Sequence, residues 1–253
     1  MMKSELTAKL KTLADKYECA SFSDQDPSQF LQHYKNNPRS TVADTETAAF
    51  IAAMLAFGSR TQFIPKINFI LELADKQSGT ICRWLTSGSY RKDFATGSKK
   101  FYRFYSYDDM QCFFTELADI LKKASSPGEY FKSLWEQQKS VHLSQIISQV
   151  FAQSSIVPKG KNCANKRIHM FLRWMVRQNS PVDLGIWSWY PQSQLIMPLD
   201  VHVMQQSVEL GLIAPGTATS RKTAELLTNK MNEIFPGDPC RADFALFGLG
   251  VDS

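Results

Sequence analysis

No two of the five cysteines (Cys19, Cys82, Cys112, Cys163, Cys240) are close enough in this 253-residue chain to form a CxxC, and the four histidines are as dispersed. That spacing excludes a zinc or iron–sulfur centre, and we assign neither a metal nor a cofactor. Scattered thiols in odd number read as reduced, partly buried side chains. Glycine and proline are scarce, at 12 and 11 residues, which excludes collagen-like and fibrous classes. No apolar run approaches the roughly 20 residues of a membrane-spanning helix, so no membrane partner is expected. Lys3, Lys9, Lys11 and Asp15 interrupt the stretch where a signal peptide would be apolar, and the expected location is the cytoplasm. Excess charge is small as well. The 29 basic and 24 acidic side chains leave +5, too little by itself to specify nucleic acid.

What the chain has is apolar material at helical spacing, with 43% hydrophobic residues. Leu6, Leu10, Leu13 and Tyr17 predict a helix over 5–17. Asp26-Pro27 reads as the opening of a helix towards Tyr34. The Ala-rich segment 44–57 is apolar all round, which predicts a buried helix ending at Gly58-Ser59. Further helices are expected over 63–76, 81–86, 108–124, 127–138, 142–153, 163–177, 200–210, 220–234 and 239–248, with irregular chain at 88–107, 154–163 and 180–199. Only Leu195–Met197 passes for a strand. The expected fold is all-α, about a dozen helices in one unit. A division into two lobes is expected at about residues 44–155 against 1–43 with 156–253, leaving a cleft between them.

The charge is unevenly placed. Lys159, Lys161, Lys166, Arg167, Arg173 and Arg177 fall between Val157 and Arg177 with no acid among them. On a helix, Ala164, Ile168, Phe171, Leu172 and Met175 form one face, while Arg173 and Arg177 each lie within about 20° of Lys166 on the other. Cations are disfavoured at a helix N-terminus by the macrodipole, yet Lys161, Lys166 and Arg167 surround this one. Such a cluster suits a phosphate. A solvated basic face is the alternative. Lys166 in this setting is also a candidate amine nucleophile.

Pro198-Leu199-Asp200-Val201-His202 ends the proline-rich loop and starts a helix, with Asp200 as its N-cap. A capping carboxylate is held rigidly and keeps one oxygen for other work. His202 reads as a structural helix residue rather than a catalytic base.

The stretches KRIHMFLRWMVRQNSPVDLGIW, LIMPLDVH and DFALFGLGV resemble an uncharacterised bacterial domain-of-unknown-function family, from about residue 26 onwards. More distantly, the order of elements is similar to the helix-hairpin-helix DNA glycosylase superfamily, the endonuclease III and 8-oxoguanine glycosylase group. It is nearest the archaeal 8-oxoguanine glycosylase branch. In that superfamily a catalytic lysine opens a helix and a catalytic aspartate follows in a V-D-x-H-type turn; Lys166 and Asp200 match these positions. Leu210-Gly211-Leu212 resembles the R-L-G-L-type continuation, and residues 52–63 resemble the L-S-x-Q-T-type helix end that lines the DNA groove. The glycine-rich hairpin L-P-G-V-G-x-K-T-A becomes residues 157–166 with Gly160 alone, where lysines stand in for backbone contacts.

The resemblance implies a monomeric DNA-repair glycosylase with AP lyase activity, acting on double-stranded DNA with a damaged base. It makes Lys166 and Asp200 catalytic, and Lys159, Lys161, Arg167, Arg173, Arg177, Arg60 and Gln62 DNA contacts. Trp174, Trp187, Trp189, Tyr190 and His202 become candidates for the base pocket. The basic-aromatic stretch 91–107 reads either as a nucleic-acid track or as a loop anchored by its aromatics. Two other functions stay open: a non-catalytic DNA-binding or damage-sensing protein of the same fold, and a helical protein that does not act on nucleic acid.

Overall fold

The computed structural model describes residues 3–251, and within them every side chain except those of Lys3 and Gln25. It is predominantly helical, with 13 α-helices among the described residues. In chain order these are α1 (Lys3–Tyr17), α2 (Gln29–Asn36), α3 (Val42–Leu55), α4 (Arg60–Ser78), α5 (Ile81–Thr86) and α6 (Tyr90–Asp93). A small antiparallel hairpin follows, β1 (Lys100–Tyr102) and β2 (Tyr105–Ser106). Then come α7 (Tyr107–Lys123), α8 (Pro127–Gln137), α9 (Leu143–Val150), α10 (Lys166–Val176), α11 (Val201–Glu209), α12 (Arg221–Ile234) and α13 (Ala242–Val251). The chain forms two compact units, residues 25–159 and residues 1–24 with 160–253.

In the 25–159 unit, α3 is the core element, buried from Asp44 to Leu55. A capping box starts it: Asp44 N donates to Thr41 Oγ1 at 3.2 Å and Thr41 N to Asp44 Oδ2 at 2.9 Å. Its buried polar groups all find partners, as burial demands. Asp44 Oδ1 accepts Cys82 N at 3.0 Å, and Glu46 Oε2 accepts Gly128 N at 2.7 Å in the first turn of α8. The interval 88–107, expected to be irregular, contains α6 and the hairpin. Leu195–Met197 is not a strand; its backbone is irregular and packs inward, with Met197 N donating to Thr228 Oγ1 at 3.0 Å. Asp26 lies three residues before the helix it was expected to open, its Oδ1 accepting Ser28 N at 3.0 Å, and α2 begins only at Gln29.

In the other unit, α13 is buried over most of its length and lies against α1 and α11. Gly248 permits the first contact, since a Cβ there would collide with the Tyr17 ring. Gly250 permits the second, where a Cβ would stand 2.7 Å from that of His202. No helix among the described residues is long and apolar enough to cross a membrane.

Candidate active site at the start of two helices

Asn165, in the left-handed region at φ 45°, interrupts the helix expected from residue 163, so α10 begins at Lys166. The loop before it is tied down locally. Asn165 Nδ2 donates to Gly160 O at 2.8 Å, and Arg221 N donates to Asn162 O at 2.8 Å. Gly160 lets the loop fold closely on itself, since a Cβ there would meet the Cys163 side chain.

Asp200 caps α11, with Oδ1 accepting Val203 N at 2.9 Å. Its other oxygen meets Lys166 Nζ at 3.2 Å. The Lys166 side chain is 35% exposed and that of Asp200 14%, so the pair sits at the protein surface with one side open. The two residues singled out as catalytic are thus brought together. They are separated in sequence, and each is held by the start of its own helix.

Behind them lies a carboxylate the sequence reading did not assign. Asp243, in the first turn of α13, is bonded to Arg173 Nη1 in the interior. Burial pushes its carboxyl up to about 6; Arg173 and Lys166 draw it down, while Asp200 and Asp183 push it further up. The signal in the sequence was a lone acid at the head of an otherwise apolar run, residues 243–250.

Arg173 and Arg177 correct the expected basic ridge. Both are buried, at 3% and 2% exposure, and neither can contact a phosphate. Arg173 Nε donates to Asp183 Oδ1 at 3.1 Å, and its guanidinium lies 4.4 Å from the centre of the Phe244 ring. Arg177 donates to Asp238 through Nε (2.8 Å) and Nη2 (2.8 Å), to Asp183 Oδ2 at 3.0 Å, and to Glu18. Burial works against the Arg177 cation, and its hydrogen bonds to Asp238 and Glu18 with the charge of Asp183 outweigh it, so it stays charged. The network continues outward through Arg241, whose Nε donates to Glu18 Oε2 at 2.8 Å and Nη2 to Asp15 Oδ1 at 2.6 Å. Its acids come from α1 and the residue after it, the 180–199 loop and the segment 238–243, so none shows in the 157–177 window.

Of the other candidate contacts, Lys161 is exposed and Arg167 half-buried, both in the unit that carries Lys166. Lys159, Arg60 and Gln62 belong to the 25–159 unit, Lys159 donating to Ala152 O at 2.6 Å. Trp174, Trp187 and Tyr190 are buried, and as stacking surfaces for a base they are corrected to core. Trp187 packs edge-on to Phe171 and parallel to Trp189, both at 5.2 Å. Trp189 and His202 keep partial exposure, the His202 ring lying edge-on to Phe247 at 5.7 Å.

These features define a helical protein with an arginine–carboxylate interior and a half-open lysine–aspartate pair. The chain belongs to a family described as protein of unknown function (DUF2400), whose profile matches residues 26–252. Comparison with curated proteins and with solved structures finds no match.

Proposed function

We propose that the protein is a DNA-repair glycosylase with AP lyase activity, built on a helix-hairpin-helix glycosylase-like fold. The observation that carries this reading is the 3.2 Å approach of Lys166 Nζ to the oxygen of Asp200 that is not used in capping. An amine beside a rigid carboxylate at a half-open surface suits nucleophilic attack with proton removal.

In this mechanism a damaged nucleotide leaves the helix, at a cost of a few kcal/mol that a weakened base pair lowers. Asp200 takes a proton from Lys166 Nζ, and the amine attacks the sugar C1′. The Nζ–C1′ bond forms as the C1′–base bond breaks, and the base leaves with that electron pair and gains a proton. Sugar ring opening yields a Schiff base, from which loss of a C2′ proton expels the 3′ phosphate and cleaves the strand. Alternatively Asp200 stays ionised, the amine reacting in its neutral form, and the carboxylate stabilises the positive charge that develops on the sugar. Lys161 and Arg167 are the phosphate contacts nearest in sequence to Lys166.

Borohydride trapping tests this on duplexes carrying 8-oxoguanine, uracil, thymine glycol or an abasic site. A covalent adduct is expected with the wild type and none with Lys166→Gln. Asp200→Asn is expected to slow adduct formation by about 10²- to 10⁴-fold. If no lesion yields an adduct while DNA binding persists, the pair is a structural clasp and the protein a DNA-binding module. If no DNA binds even at low salt, both readings fall.

A further inference from the structure

The hairpin of the 25–159 unit presents an aromatic ring to solvent. Phe101, Tyr102 and Tyr105 turn inward and are buried, so they anchor the hairpin. Phe104 at the turn does the opposite. Its ring rests on Phe57 at 5.2 Å and Tyr105 at 4.6 Å and remains 59% exposed.

The turn is rigidly built. Arg103 takes a left-handed backbone at φ 49°, unusual for a residue with a side chain. Its guanidinium lies 5.7 Å from the centre of the Phe57 ring and against Gly58, where a Cβ would collide with Arg103 Nη1. Tyr102 Oη donates to Phe57 O, and Lys100 Nζ donates to Phe104 O at 2.8 Å. Gly58 is glycine because of its φ of 84°, which side-chain-bearing residues rarely adopt.

Lys99, Lys100 and Arg103 are exposed on the same hairpin, with Lys66 half-buried over the Phe101 ring at 4.8 Å. The nearby acids are engaged. Asp109 accepts Ser106 N at 2.7 Å and Ser155 Oγ at 2.5 Å, and Asp108 accepts Gly97 N at 2.9 Å. An exposed aromatic face on a hairpin that also exposes three cations is complementary to a strand that offers unstacked bases and phosphates.

We infer that this hairpin face binds a single-stranded segment of nucleic acid, stacking an unpaired base on Phe104 while Arg103, Lys99 and Lys100 contact its phosphates. The inference deepens the proposed function, since it rests on a nucleic-acid substrate and gives it a second contact, in a different unit from Lys166.

The test is anisotropy of a fluorescein-labelled oligonucleotide of about 12 nucleotides, within the usual site size, together with the same length of abasic sugar-phosphate strand. Phe104→Ala is expected to bind the base-bearing strand about tenfold more weakly, and Phe104→Trp to restore binding. The abasic strand should bind the wild type and Phe104→Ala alike. Arg103→Gln with Lys99→Gln should flatten the salt dependence by roughly 1.4 in log–log slope, two contacts at about 0.7 each. Equal affinity of Phe104→Ala and wild type overturns the inference, as does an equal loss on the abasic strand. Phe104-dependent binding to anionic vesicles without Phe104-dependent strand binding overturns it in favour of lipid. Phe104→Ala with unchanged strand affinity and an intact Lys166 adduct sinks this surface alone; absence of all strand and duplex binding sinks the proposed function with it.

Discussion

Asp243 shows how one residue ties the interior to the candidate site. An ordinary aspartate titrates near 4, and burial in the folded chain raises this one to about 6. The folded state therefore holds the proton more tightly than the unfolded state does. The stabilising contribution is complete below about pH 4 and is lost as pH rises through about 6. Asp183 is shifted in the same direction, again by burial first. Asp243→Asn has no such titration. In urea unfolding at a series of pH values, the wild type should lose stability relative to Asp243→Asn between about pH 4 and pH 7. A difference that stays constant across that range would show that Asp243 does not titrate there.

At the scale of the element, α10 carries two tasks on one helix. Its first residue faces Asp200, while two arginines further along are enclosed by carboxylates. Removing the guanidinium of Arg177 would leave Glu18, Asp183 and Asp238 facing one another with little solvent. Arg177→Ala is accordingly expected to cost about 3–5 kcal/mol, read as a lowered denaturation midpoint. Arg177→Lys should recover only part of it, because a single ammonium cannot donate along the separate directions used by Nε, Nη1 and Nη2. A near-neutral Arg177→Ala would mean that these carboxylates relax to water, and that the network contributes little. Arg241 is the half-buried outer end of the same network and its loss should matter less.

For the whole molecule, the cysteines serve as native reporters of the two units. Cys163 is exposed, whereas Cys240 is buried, its thiol pushed well above the usual range by burial and the neighbouring Asp243. Cys82 and Cys112 are half-buried with raised thiols, again through burial first. Since the thiolate is the reactive form, Cys163 should label first with a thiol reagent at neutral pH, and Cys240 last, only as its unit opens. Rapid labelling of Cys240 in native buffer would contradict the packing described for α13. In Arg177→Ala, Cys240 should become reactive at lower denaturant than in the wild type.

Much of this was legible in the residues. Helical spacing placed α1, α5, α8, α11 and α12 to within a residue or two, and the Ala-rich run anticipated the burial of α3. The convergence of Lys166 and Asp200 followed from two cap-like positions that the resemblance paired. The hairpin is not legible because β1 and β2 are too short for alternation to register, and Leu195–Met197, which could pass for a strand, is an apolar triplet that packs inward without pairing. The start of α10 was placed early because no spacing reveals the left-handed Asn165.

By itself the sequence determined the helices, their apolar faces and the concentration of charge between residues 157 and 177. Periodicity reports only which side chains share a face. What covers the opposite face is settled by tertiary structure. There, Glu18, Asp183, Asp238 and Asp243 arrive from distant segments and turn an apparent basic ridge into a buried ionic interior, because a desolvated guanidinium is tolerated only where carboxylates complete its hydrogen bonds.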